Sequence, residues 1–338
     1  MNAVEAILAL LRNVLWGTEV PAGIDSLDSG EWNRVLGIAA AQGIVSLLYD
    51  AVAALPESAG VPEDLLALWK KHTDANESKF KRISLVAEAQ ERGWKKKGIP
   101  YVMLKGLALA GLYRYPEHRP CGDIDWYFPS PEAWNDACKL AEKVTGGPLR
   151  KDSDGDVSYI WNGVVIEHHR GWSHLSSRRA ARILGVPASE DGRLSPEDEL
   201  LMLNGHILHH MSVTGCGLRQ FADLAAAYAA HQGKYDSETF SARMRKLGLG
   251  RWTALLHSAL VELTGVDAEC LPVPPSCRQA DVDRIVRLVF TDGNFGLPKE
   301  RRFSGFASRA FLFVRYCPGE FFARLSSLLL GRLKNGVK

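Results

Sequence analysis

Apolar residues along the chain change period twice. From Ala3 to Leu15 they recur at helical spacing, as Val4, Ile7, Leu8, Leu11 and Leu15, and predict an amphipathic helix. A second helix is predicted over Ser29 to Ala54. Pro62-Glu63-Asp64 places proline and acids where a helix starts. The helix it opens runs to Lys95-Lys96-Lys97-Gly98, which puts positive charge in the last turn and glycine after it. At Ile99 the period shortens. Pro100 to Leu104 reads as a buried strand, Leu107 to Tyr115 as a helix, Pro116 to Gly122 as a loop and Ile124 to Phe128 as a second strand. Pro131 to Thr145 reads as a helix. Ser158 to Trp161 and Val164 to His168 flank Asn162-Gly163, a strong hairpin signal. From Ser195-Pro196-Glu197-Asp198 onward the pattern returns to helices, over Glu197 to Met211, Leu218 to His231, Ser237 to Leu247, Arg251 to Thr264 and Gln279 to Thr291. The layout is helical, then mixed α/β or α+β, then helical.

Composition adds bounds rather than detail. In 338 residues, 46% are hydrophobic and 24% charged, which excludes disordered and collagen-like chains and suggests about two domains. The net charge of +2 argues against bulk electrostatic binding to nucleic acid, leaving a local patch open. Six cysteines form no C-x-x-C pair and read as reduced thiols. The first sixteen residues carry Glu5 and Arg12 and read as a helix rather than an export signal. No apolar run is long enough to span a membrane, and the expected location is cytoplasmic.

The chemistry concentrates in Cys121-Gly122-Asp123-Ile124-Asp125-Trp126. Carboxylates at i and i+2 of a strand point to one side, with Ile124 directed to the core. Like charges so close favour a cation between them, and Mg²⁺ suits oxygen ligands. Upstream, Lys105-Gly106 sits between strand and helix, where backbone N–H groups, a close-approach glycine and a lysine could hold phosphate. Arg119 could clamp a phosphate with its guanidinium fork. Downstream, Glu167 on a neighbouring strand would complete a carboxylate triad, with His169 on its side and His168 on the other. Trp126 stands near enough to the carboxylates to stack on a base, although tryptophans at such positions are most simply core.

The run Met103-Leu104-Lys105-Gly106-Leu107-Ala108-Leu109, followed by Tyr113, Arg119, Gly122-Asp123-Ile124-Asp125 and Ile166-Glu167-His168-His169, resembles the uncharacterised bacterial nucleotidyltransferase family of the DNA polymerase β-like nucleotidyltransferase superfamily. His206, His210, Arg219 and Asp223 extend the resemblance into the helical part. It implies an α+β fold: a polymerase β-like core, a small mixed sheet with helices on one face, over 83–175, between helical regions at 1–82 and 176–338 that wall a cleft and choose the acceptor. It also implies transfer of a nucleoside monophosphate, AMP from ATP, by two Mg²⁺ ions. Asp123, Asp125 and Glu167 would be catalytic metal ligands, Lys105, Gly106 and Arg119 phosphate contacts, and His169 and Arg219 substrate contacts. The acceptor stays open among small molecule, peptide, protein, sugar and RNA end.

Two departures from the superfamily pattern bear on this. Lys105-Gly106 stands where Gly-Ser or Gly-Gly is usual, and the gap from Gly106 to Asp123 is longer than the norm; Glu167 in place of Asp adds one methylene, which a metal ligand tolerates. The first keeps open a nucleotide-binding protein of the same fold without turnover. A transition-metal hydrolase using Asp123, Asp125, His169 and His206 is a further alternative. His206 and His210, at i and i+4, could bind such a metal or pack as polar groups, and Arg219 and Asp223 could form a helix-surface or interdomain ion pair. The segment from Arg278 to Lys338 holds twelve Lys or Arg against five acids, interleaved with Phe303, Phe306, Phe311, Phe313, Phe321 and Phe322. It reads as a helical cap, or as a surface for an anionic partner or membrane.

Overall fold

The computed structural model describes residues 1–21, 23–151, 155–294, 296 and 302–335. The chain divides into two compact units. The first comprises residues 1–40, 44–172 and 186–199, the second 41–43, 173–185 and 200–338.

The first unit opens with α1 (Ala3–Trp16), α2 (Ser29–Gln42), α3 (Val45–Ala53) and α4 (Glu63–Lys97). Asn2 caps α1 by accepting from the Val4 and Glu5 N–H groups, while the Glu5 side chain accepts from the Asn2 N–H. The buried face of α1 is Ala3, Ala6, Ile7, Ala9, Leu10 and Leu11, rotated from the stripe the sequence suggests. The single helix predicted over Ser29 to Ala54 is two, because Gly43 interrupts it. The 35 residues of α4 begin after Pro62 and end at Gly98, as the charge and capping pattern predicts.

One seven-stranded sheet follows, built from β1 (Val102–Met103), β2 (Asp123–Tyr127), β3 (Arg150–Lys151), β4 (Val157–Trp161), β5 (Val164–His169), β6 (Ser189–Glu190) and β7 (Arg193–Leu194). Its order is β3-β4-β5-β2-β1-β7-β6. The sheet is mixed: β2 runs parallel to β5 and β1 parallel to β7, and the other pairs are antiparallel. Asn162 and Gly163 turn the β4–β5 hairpin with φ of 51° and 75°, as a type I′ turn requires. Between β2 and β3 lies α6 (Pro131–Thr145), capped by Ser130. Helices α4 and α6 bring Ile83, Val86, Trp94, Trp134 and Ala137 into one core with Ile124, Trp126, Val157, Tyr159 and Ile166 of the sheet. The helix expected over Leu107 to Tyr115 is a single turn, α5 (Leu107–Ala110), followed by a short 3₁₀ turn at Pro116–His118. β3, β6 and β7 are short and largely exposed, and no hydrophobic alternation announces them.

The second unit is helical: α7 (Arg178–Ile183), α8 (Pro196–Val213, which starts in the first unit), α9 (Leu218–His231), α10 (Ser237–Leu247), α11 (Gly250–Thr264), α12 (Gln279–Asp292), α13 (Arg302–Tyr316) and α14 (Pro318–Asn335). A buried chain of hydrogen bonds ties three of these helices. Asn204 Nδ2 donates to Tyr228 Oη at 2.8 Å, Tyr228 Oη lies 2.8 Å from His257 Nε2, and His257 Nδ1 lies 2.6 Å from the Val273 carbonyl oxygen.

The basic C-terminal segment contributes to this core. Phe306, Phe313 and Phe321 are buried, while Phe311 and Phe322 are exposed. Arg309 is buried beside Asp292 at 2.5 Å, and Arg324 donates to the His174 carbonyl oxygen at 2.7 Å. Lys299, Glu300, Arg301 and Lys338, and the side chains of Arg302, Phe303, Arg332 and Lys334, lie outside the described residues. Among the described residues no helix is long and apolar enough to cross a membrane. All six cysteines are free thiols.

Candidate functional site

Strands β2 and β5 carry the acidic side chains. Their parallel register sets Asp123 against Val165, Asp125 against Glu167 and Tyr127 against His169. Alternation places Asp123, Asp125, Glu167 and His169 on one face and Ile124, Trp126, Ile166 and His168 on the other. Trp126 is fully buried there and cannot stack on a base. Its Nε1 donates to Gln90 Oε1 at 2.8 Å. Gln90 Nε2 donates to Tyr159 Oη at 2.7 Å, which in turn lies 3.0 Å from His168 Nε2. Burial, reinforced by the neighbouring His169, pushes the His168 imidazole down to about 3, so this back-face network is uncharged.

The front face is charged. Asp125 is wholly buried. Its Oδ1 lies 3.0 Å from Lys105 Nζ and 2.8 Å from His169 Nε2. Its Oδ2 is buried and has no hydrogen-bond partner. Nδ1 of His169 meets Asp156 Oδ2 at 2.7 Å, and Nε2 is also 3.5 Å from Glu167 Oε2. Carboxylates only accept, so both ring nitrogens of His169 donate and the ring is an imidazolium. Burial opposes that charge, but the bonds to Asp125 and Asp156 outweigh it and lift His169 to about 9. Burial likewise opposes ionisation of Asp125, yet Lys105 and His169 hold its carboxyl well below the usual range. Lys105 is raised, its own burial overcome by Asp125, Asp123 and Glu167. Glu167 is raised, by burial first and the Asp125 charge second.

The turn after β1 is tight. Gly106 has φ 64° and ψ −111°, a conformation suited to glycine. A Cβ there would lie 3.1 Å from Cys121 Sγ and 3.3 Å from the Asp123 carbonyl oxygen. The Leu104 N–H donates to the Asp125 carbonyl oxygen at 3.1 Å, so this turn is anchored to the carboxylate strand. Arg119 is buried, and its Nη1 donates to the Pro120 carbonyl oxygen at 3.1 Å.

The structure thus brings Lys105, Asp125, Glu167 and His169 together, with Asp123 two residues before Asp125 on the same strand face. Donor atoms of Asp125, Glu167 and His169 all lie within 4.8 Å of one another, the one such group among the described residues. The partnerless Asp125 Oδ2 and the partly exposed Glu167 carboxylate suit a hard, oxygen-seeking cation. His169 as placed offers charge rather than a lone pair.

His206 and Arg219 lie in the second unit. His206 gathers with His174, His209 and His210, its ring centroid 4.8 Å from that of His174 and 4.2 Å from that of His210. Arg324 donates to His209 Nδ1 at 2.6 Å. Arg219 Nη2 donates to Asn294 Oδ1 at 3.4 Å, and Asp223 is buried rather than at the helix surface.

Sequence reasoning missed Asp156, the second carboxylate on His169. Counting outward from the Asn162-Gly163 turn places it opposite His169, one step beyond the Val157–His168 pair. It missed Gln90 too, since a polar residue in a 35-residue helix carries no local mark of burial.

A family model described as an uncharacterised nucleotidyltransferase matches residues 28–265. No curated protein and no solved structure matches the chain.

Proposed function

The chain belongs to the uncharacterised nucleotidyltransferase family, and we propose that it transfers a nucleoside monophosphate, AMP from ATP, to an acceptor through a polymerase β-like core in the first unit. The observation that carries this reading is the Asp125–Glu167 pair facing across β2 and β5, with one buried carboxylate oxygen left without a partner.

Asp123, Asp125 and Glu167 would hold Mg²⁺. When bound, two such ions stabilise the attacking and leaving oxygens of an in-line displacement. The protein's own groups position and neutralise. Lys105, Arg119 and the Gly106 turn hold the triphosphate, and His169, braced by Asp156, fixes the Asp125 carboxylate. The acceptor oxygen bonds to the α-phosphorus, the bond from that phosphorus to the β-phosphate oxygen breaks, and pyrophosphate leaves with the electron pair. Glu167 takes the acceptor proton.

Incubation with each α-labelled nucleoside triphosphate, Mg²⁺ and cell extract tests this. A labelled product and released pyrophosphate are expected, both lost in the Asp123→Asn/Asp125→Asn double variant. Activity retained in that variant overturns the mechanism.

One observation favours a second reading, nucleotide binding without turnover. Asp125 Oδ1 already meets two cations, Lys105 and His169. Calorimetry with ATP and Mg²⁺ beside a pyrophosphate assay separates the two, since binding without pyrophosphate release supports the second.

A further inference from the structure

A separate cleft opens in the first unit, between α1, α3 and the segment that joins α5 to β2. Its volume is about 460 Å³, inside the ~300–1,000 Å³ range of small-molecule sites. Its apolar lining is Leu47, Ala51 and Ala54 of α3 and its end, with Val14 of α1. Polar groups and aromatic rings form the walls: Asn13, Asp50, Arg114, Tyr113, Tyr115 and His118.

These walls are built rather than incidental. His118 is buried, with Nδ1 2.6 Å from Asp50 Oδ2 and Nε2 3.0 Å from Glu77 Oε1. Its carbonyl oxygen accepts from Ser46 Oγ at 2.8 Å, and the Glu117 carbonyl oxygen accepts from Asn76 Nδ2 at 2.6 Å. The segment is therefore bolted to α3 and α4. The Asp50 side chain remains 39% exposed. Asn13, which also lines the cleft, donates from Nδ2 to the Thr18 carbonyl oxygen at 2.7 Å. Arg114 lies with Cζ 5.3 Å from the Tyr115 ring centroid, offering donors beside an aromatic surface.

Asp50 and Arg114 balance in the lining, and the His118 ring, held between Asp50 and Glu77, is balanced by Glu77, so neither an anion nor a cation finds an excess of opposite charge. His118 spends both ring nitrogens on carboxylates. What the walls offer is acceptors, donors and tyrosine rings beside that apolar lining. A ligand that matches is uncharged, donates and accepts at several points, and has an apolar C–H face. That is the chemistry of a saccharide, since each hydroxyl is one donor and a two-lone-pair acceptor.

We propose that this cleft binds a neutral mono- or disaccharide. Asp123 follows His118 by five positions, so their Cα atoms are at most about 18 Å apart. A saccharide seated here would serve as the hydroxyl acceptor. That role rests on the nucleotidyltransfer reading, whereas the binding does not.

Saturation-transfer NMR on the full chain with a panel of methyl glycosides tests the proposal. Cyclohexanol, putrescine and inorganic phosphate serve as apolar, cationic and anionic comparisons. The variant Ala54→Trp fills the cleft from an exposed position at the end of α3, and near-UV circular dichroism verifies its fold. At least one glycoside is expected to bind, and to bind about tenfold or more weakly in Ala54→Trp. Absence of any glycoside signal, equal binding in the variant, or preference for putrescine or phosphate overturns the proposal. Glycoside binding without labelled-nucleotide transfer would leave this site standing and remove the transferase reading; transfer without glycoside binding would do the reverse.

Discussion

His169 Nε2 sits 2.8 Å from Asp125 Oδ1, and Lys105 Nζ reaches the same oxygen at 3.0 Å. A fully buried carboxylate is tolerable here because two cations share one of its oxygens while the other stays open. Removing one cation leaves a buried charge half compensated. Lys105→Met should therefore lower stability by roughly 2–4 kcal/mol, somewhat under the ~3–5 kcal/mol of a buried pair broken outright, because His169 remains. Urea unfolding of both proteins measures it, and a change within error would mean that Lys105 does not stabilise Asp125.

Gly106→Ala forces a side chain onto a positive φ and towards Cys121 Sγ and the Asp123 carbonyl oxygen. The expected loss is about 1–3 kcal/mol of stability, together with weaker nucleotide binding, because the displaced backbone belongs to the carboxylate strand. Unfolding curves and ATP calorimetry report the two effects separately. Unchanged stability would contradict the strained turn.

Behind the sheet, Gln90→Leu strips Trp126 Nε1 of its acceptor and Tyr159 Oη of a donor. Trp126 Nε1 is left buried and unmet while Tyr159 Oη keeps His168, so the loss should be roughly 1–3 kcal/mol. A Gln90→Glu variant in its neutral acid form keeps the acceptor for Trp126 and a donor for Tyr159, so its loss should be smaller. Thermal unfolding of the three proteins ranks them.

In the second unit, burial holds His257 down to about 4 against an ordinary value near 6.5. Its folded pKa lies below its unfolded one, so folding favours the neutral ring. That contribution is complete above about pH 6.5 and disappears as pH falls through about 4, with a full span of roughly 3 kcal/mol. His257→Gln should flatten the fall in stability between pH 6.5 and 4 relative to the wild type. Denaturation midpoints across that window measure the difference, and parallel pH profiles would remove His257 as the cause.

The long and strongly periodic parts of the fold were legible in the sequence. The 35 residues of α4, the Ser130-capped α6 and the Asn-Gly hairpin all carry local signals strong enough to decide them. Part of the β2–β5 face was legible too, because alternation sets Asp123 with Asp125 and Glu167 with His169, while the register of β2 against β5 puts the two pairs on one face. What escaped depends on tertiary pairing. Two-residue strands such as β6 and β7 have no period to read, and only their partner β1 makes them strands. The break at Gly43 sits inside an apolar run that continues without change of period. The Lys105–Asp125 pair joins residues twenty positions apart, and nothing local says that the lysine meets that carboxylate.

Strand β7 reaches β1 only after the backbone has left the first unit at Ser173 and returned at Val186. Truncation at residue 175 would remove that neighbour, and the Met103 N–H would lose its bond to the Gly192 carbonyl oxygen. The strand leading into Lys105 and Gly106 would become a raw sheet margin, open to pairing with another molecule. A fragment that ends at the close of β5 therefore lacks part of its own sheet, and a fragment that keeps the sheet whole must retain residues 186–199.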